Sequence, residues 1–225
     1  MKTSSASSVP ARTIEDAEPR WPAIVALLAV GSLYAALPEA VSVGPRWILP
    51  TLIALLIVPT VISHRTGKHS INQILGYTIN TIITGAMVTS LILLILALPL
   101  KKESPAELLA SAAELWAANV LVFALWYWRL DAGGPGERDL RGCHVRGDFL
   151  FPQLTLDPDL RAQLGQTDWT PGFVDYLFIA FNTSTAFSPT DVAVLSRWAK
   201  VLSMVQSAIS LTTIAVLVSR GINVL

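Results

Sequence analysis

Three carboxylates, Glu114, Asp175 and Asp191, stand within or beside long apolar stretches of this 225-residue chain. A charge in hydrocarbon is costly, so such residues serve a proton relay, an ion path or a paired partner. Each also has a plain structural use, since Asp175 suits the positive end of a helix dipole, Asp191 a turn and Glu114 a helix end. Two rows of uncharged polar residues add to them. Gln73, Tyr77, Asn80 and Thr84 recur at spacings of 4, 3 and 4. Ser203, Gln206, Ser210 and Thr213 recur at 3, 4 and 3. Each row therefore occupies one helical face. In a membrane such a face bonds a neighbouring helix or lines a wet path.

Other chemistries find no support. The chain shows no glycine-rich phosphate loop and no nucleophile motif, so an enzyme is not expected. The single cysteine, Cys143, excludes an intrachain disulfide. Cys143 and His144 lack companions at metal-ligand spacing, so neither a metal nor a cofactor is expected. His64, His69 and His144 read as solvated loop histidines. Sixteen basic and sixteen acidic residues cancel, which leaves no charge excess to draw a nucleic acid.

The elements that must carry these residues follow from composition. Apolar residues make up 52% and charged residues 14%, with a mean hydropathy of +0.55. That balance predicts an all-α integral membrane protein whose first partner is the lipid bilayer. Residues 1–20 read as a flexible polar tail. Apolar runs at 21–38, 47–63 and 71–100 make a three-helix transmembrane region over 21–100, and Pro59 should kink or end the second helix.

Ser104, Pro105 and Glu107 form a capping-box start for a fourth helix over 105–129. It closes on Trp126, Tyr127, Trp128 and Arg129, residues suited to the headgroup layer. Trp21, Trp47, Trp169 and Trp198 also lie near ends of apolar runs and read as interface anchors. A long hydrophilic loop covers 130–170. Thr170 and Pro171 signal the next helix, with Thr170 as N-cap. Its apolar run, 173–187, is too short to span, so 171–191 reads as a re-entrant helix and loop. The last helix covers 197–224. The expectation is about five spanning helices plus the re-entrant one.

This order resembles the outer helix, turret, pore helix, filter and inner helix of potassium-channel-type pores, over residues 105–225. Laid on that family's Thr-Thr-Val-Gly-Tyr-Gly-Asp filter, the chain offers Thr183, Ser184, Thr185, Ala186, Phe187 and Ser188, then Pro189 and Thr190 as extra residues, then Asp191. Asn182 precedes them. The resemblance implies a ring of backbone carbonyls, or hydroxyls of Thr183, Ser184 and Thr185, that replaces a cation's water shell. Ala186 and Ser188 stand in place of the glycines that free the filter backbone, and Phe187 lacks the tyrosine hydroxyl. The chain also resembles a family of small bacterial membrane proteins through its Trp126–Pro135 stretch, Asp148-Phe-Leu-Phe-Pro-Gln153 and Phe187-Ser-Pro-Thr-Asp191. That likeness implies a shared fold and a place in the bacterial inner membrane, but supplies no activity.

The distribution of basic residues and the channel likeness leave the topology in conflict. Arg46, Lys101, Lys102 and Arg220 lie on one side, and the other lysines and arginines lie with the N-terminus and the long loop. The positive-inside rule puts that second side in the cytoplasm, the reverse of a potassium channel, whereas paired Lys101 and Lys102 favour the channel orientation. No segment repeats arginine at every third position, so a voltage sensor is not expected.

Three functions follow. The resemblance implies a homo-oligomeric pore, a tetramer, for monovalent cations of the potassium type. Residues 182–191 would form its constriction, and Ser203, Gln206, Ser210 and Thr213 its lining. The missing glycines favour a non-conducting scaffold or accessory subunit in which the polar rows are packing glue. The three carboxylates, as proton carriers or acid/base groups, leave room for a small transporter or, against the absence of a nucleophile motif, a membrane enzyme.

Overall fold

The computed structural model describes residues 18–99, 104–141, 144, 146–187 and 191–224, and the side chains of the last helix only as far as Ser219. Most of the N-terminal tail, the Lys101–Lys102 pair, Cys143 and three members of the filter-like segment (Ser188, Pro189 and Thr190) lie outside the described residues.

Nine helices are described: α1 Trp21–Ala36, α2 Ile48–Arg65, α3 His69–Ala97, α4 Pro105–Leu130, α5 Pro135–Arg141, α6 Pro152–Thr155, α7 Pro158–Gln163, α8 Phe173–Ala186 and α9 Arg197–Val224. A two-residue antiparallel ladder, β1 Phe149–Leu150 with β2 Ala193–Val194, pairs Phe149 with Val194 and Leu150 with Ala193. The class is all-helical apart from that ladder.

α4 is the axis of the bundle and packs against α1, α3, α8 and α9. It is buried nearly all round, with Ala112, Val122, Phe123, Ala124, Leu125 and Tyr127 at most 1% exposed. Its small residues let neighbouring backbones come close, which is how helices gain dispersion energy in lipid. It begins where the sequence places it. Ser104 Oγ accepts from the Glu107 amide at 3.2 Å, and the Glu107 carboxylate accepts from the Ser104 amide at 2.9 Å.

Several expectations need correction. Of the two outcomes expected at Pro59, a kink or an end, α2 does not end there; it runs on to Arg65, leaving the Leu55 carbonyl without its usual i+4 donor. α1 stops at Ala36 because Pro38 forces Leu37 into an extended conformation. Its 16 residues are shorter than the four long apolar helices. The expected loop over 130–170 carries α5, α6, α7 and β1. α8 begins two residues later than Thr170–Pro171 indicates: Gly172 is the N-cap, and its amide donates to the Asp175 carboxylate at 2.8 Å. His64 and His69 belong to helices α2 and α3, not loops.

Candidate functional site

α8 sits in the groove between α4 and α9. Its first residue, Phe173, meets Trp128 near the end of α4 edge-on, with ring centroids 5.9 Å apart. Phe181 meets Trp116 in the same way at 6.1 Å, and Ser184 lies beside Asn119. α8 thus runs from the end of α4 toward its middle. The chain then returns. Leu195 donates its amide to the Asp148 carbonyl at 2.8 Å, and Trp198 Nε1 donates to the Asp148 carboxylate at 2.9 Å.

The filter-like residues are mostly helical. Asn182, Thr183, Ser184, Thr185 and Ala186 continue α8 instead of opening a loop, because their backbone amides stay in the helical ladder. Thr183 and Ser184 are fully buried. Thr183 Oγ1 donates back to the Ile179 carbonyl at 2.8 Å. Ser184 Oγ accepts from Gln206 Nε2 at 2.9 Å. Thr185, Ala186 and Phe187 face outward, Asn182 is half-buried, and Asp191 is exposed. Phe187 ends the helix with φ 53°, a left-handed backbone costly for a bulky side chain.

The polar row on α9 is used up within the subunit. Ser203, Gln206, Ser210 and Thr213 are all buried. Gln206 Nε2 also donates to the Ala180 carbonyl at 2.7 Å, and its Oε1 accepts from Tyr127. Ser210 donates to the Ser184 carbonyl at 2.7 Å and accepts from Trp116 Nε1 at 3.1 Å. Ser203 Oγ lies 3.3 Å from Tyr127 Oη, to which its hydroxyl donates, while Thr213 donates within its own helix, to the Ile209 carbonyl. These groups fasten α9 to α4 and α8. On α3, Thr84 and Tyr77 of the other row turn to α4: Trp126 Nε1 donates to Thr84 at 2.8 Å and the Trp126 ring stacks on Tyr77.

The three carboxylates are not brought together. Asp175 caps α8, Asp191 is exposed on the return segment, and Glu114 lines a cavity with Glu39 and Arg46.

One constellation has no trace in residue spacing. Asp131, fully buried just past α4, accepts from Tyr176 Oη at 2.6 Å and from the amides of Asp148 and Phe149. His144 Nε2 lies 2.6 Å from the same carboxylate, with its side chain only 2% exposed. His144 is therefore a buried partner rather than a solvated loop histidine. Burial opposes ionisation of Asp131, but the hydrogen bonds from His144, Tyr176 and the Asp148 amide outweigh it and hold the carboxyl below its usual value. Arg138 lies over the Tyr176 ring at 5.2 Å and donates to the carbonyls of Trp128 and Asp131. The cluster ties the end of α4, His144, the Asp148–Phe149 pair and α8 into one block.

Among the described residues, α2, α3, α4 and α9 are long and apolar enough to cross a membrane. The chain is accordingly a helical membrane protein. No protein-family profile matches it, and comparisons with curated proteins and with solved structures find no match.

Proposed function

We propose that the chain is a subunit of an ion-conducting pore whose constriction is formed beyond the end of α8, with Phe187 and Asp191 at it, rather than by the hydroxyls of Thr183, Ser184 and Thr185. The course of α8 supports this reading. Its 14 residues extend about 21 Å, short of the roughly 30 Å of bilayer hydrocarbon. The chain enters beside Trp128, reaches Asn119, and by Leu195 is again beside Asp148. On this reading α8 and the chain that follows it act as a re-entrant unit beside α9, and α1 is a fifth span beside the four long apolar helices. Non-helical backbone at such depth needs protein or water around it. Copies arranged about a common axis would provide both, and a tetramer is the assembly the sequence resemblance implies. Exposed Asp191 stands where it would attract a monovalent cation to the mouth.

A second reading, a non-conducting scaffold or accessory subunit, is favoured by one observation. The polar groups of Thr183, Ser184, Ser203, Gln206 and Ser210 are bonded within a single chain.

Potassium flux from liposomes separates the two. Wild type, Asp191→Asn and Thr185→Ala proteins are compared with empty vesicles. Flux whose rate or ion preference changes in Asp191→Asn supports the pore. Folded wild type that passes no more potassium than empty vesicles removes it and leaves the scaffold.

A further inference from the structure

A cavity of about 320 Å³ lies among α1, α2, α3 and α4, away from α8 and α9. Its walls are apolar, with Ile24 and Leu27 from α1, Ile57 and Val61 from α2, and Ile79 from α3. Its size falls within the range of small-ligand sites. At its polar end the unused bonding capacity belongs to donors. Arg129 is 6% exposed, yet its one hydrogen bond runs from Nη1 to the Asn72 carbonyl at 3.2 Å, and no described carboxylate pairs with it. Asn80 is 2% exposed, and its Nδ2 has no partner among the described residues. Arg20 Nη1 is buried and has none among them either.

The nearby acids are already committed. Glu18 accepts from Trp128 Nε1 and from Arg138 Nη2. Asp139 accepts from the Glu18 amide and from Arg20 Nη2. Glu18, the one carboxylate among the described residues that line the cavity, is thus already engaged by Trp128 and Arg138 and makes no bond to Arg129, and a buried cation left without an acceptor is costly.

The position of Arg129 is built in. Its guanidinium lies over the Trp128 ring at 5.3 Å and against the backbone of Gly76, where an added Cβ would fall 1.8 Å from Arg129 Cζ. Gly76 thus leaves room for the charged group on the helix surface facing the cavity.

We propose that this cavity holds an anionic phospholipid, its phosphate oxygens on Arg129, Asn80 and Arg20 and an acyl chain along Ile24, Leu27, Ile57 and Val61. Basic pockets between membrane helices are suited to such headgroups. The apolar walls favour an oxyanion with a hydrocarbon tail from the bilayer over a free one.

Native mass spectrometry of the full chain in detergent tests this, with phosphatidylglycerol, phosphatidylcholine, laurate and inorganic phosphate added in separate series. One phosphatidylglycerol should be retained per chain in preference to phosphatidylcholine. Gly76→Ala keeps every charge but displaces the guanidinium, and it should weaken retention about tenfold, as loss of a charge-assisted hydrogen bond implies. Arg129→Gln should weaken it at least as much. Equal retention by wild type and both variants, each shown to be folded, would overturn the site. Phosphate or laurate retained as tightly as phosphatidylglycerol would overturn its assignment to a bilayer lipid. If neither variant folds, phosphatidylglycerol with a photoactivatable tail is cross-linked to wild type. Labels should concentrate in α1 and α2; labels spread over the outer faces of α8 and α9 would sink the proposal.

Discussion

Tyr176 Oη donates to Asp131 Oδ2 at 2.6 Å, which joins the first turn of α8 to the residue that ends α4. Both side chains are fully buried, and His144 approaches the same oxygen. The entry point of α8 is therefore set by a buried carboxylate, and the middle of α8 by Gln206. Between them these contacts hold the candidate pore segment on the bundle.

Replacing Tyr176 with Phe removes the hydroxyl and leaves the ring. The carboxylate keeps its other donors, so the variant should fold but lose about 1.5–3 kcal/mol, the usual contribution of a hydrogen bond to a charged group. Equilibrium unfolding in detergent measures this. A change below about 0.5 kcal/mol would mean that the Tyr176–Asp131 bond carries little of the docking energy.

Acid should expose the same cluster. Because the folded structure holds the Asp131 carboxyl below its ordinary value, its contribution is fully present above the unfolded value of about 3.9. It is lost as pH falls from there through the folded value. The thermal midpoint of wild type should drop in that acid window, and Asp131→Asn should show a smaller acid-dependent drop from a lower starting point. Identical pH profiles for the two proteins would contradict the assignment.

Thiol reactivity distinguishes packing from lining. In a Cys143→Ser background, Asp191→Cys should react readily with a water-soluble thiol reagent. Gln206→Cys, at a fully buried position, should react roughly tenfold more slowly or less. Comparable rates would show that the α9 row faces water.

Gly134 permits the turn after α4. It has φ +91°, and an added Cβ would lie 2.5 Å from the Arg129 carbonyl oxygen. Gly134→Ala should cost on the order of 1–3 kcal/mol, read from unfolding midpoints, whereas Gly165→Ala, with open space around its Cβ, should cost less. Equal losses would show that the contact with Arg129 is not what restricts residue 134.

Local signals carried much of the helical layout. The start of α4 was legible because a capping box uses residues three apart, and the course of α9 because its run from Val201 to Ser219 carries no charge. The Gln206 row could be placed on one face by periodicity alone. Whether that face met water or protein was not legible, since a polar stripe has the same spacing in either case. The same limit applied to Thr183 and Ser184. Their hydroxyls looked available as ligands, yet an i−4 bond to Ile179 and a partner on α9 occupy them.

By itself, the sequence determined a helical, lipid-embedded chain, the position of its long central helix and the brevity of α8, because burial periodicity, caps and run length are local properties. Only the tertiary structure brought Asp131, His144 and Tyr176 into contact from three separate segments. It alone placed Arg129 on Gly76 beside a cavity. Those pairings depend on how α4 packs against its neighbours, and packing joins residues without regard to their separation along the chain.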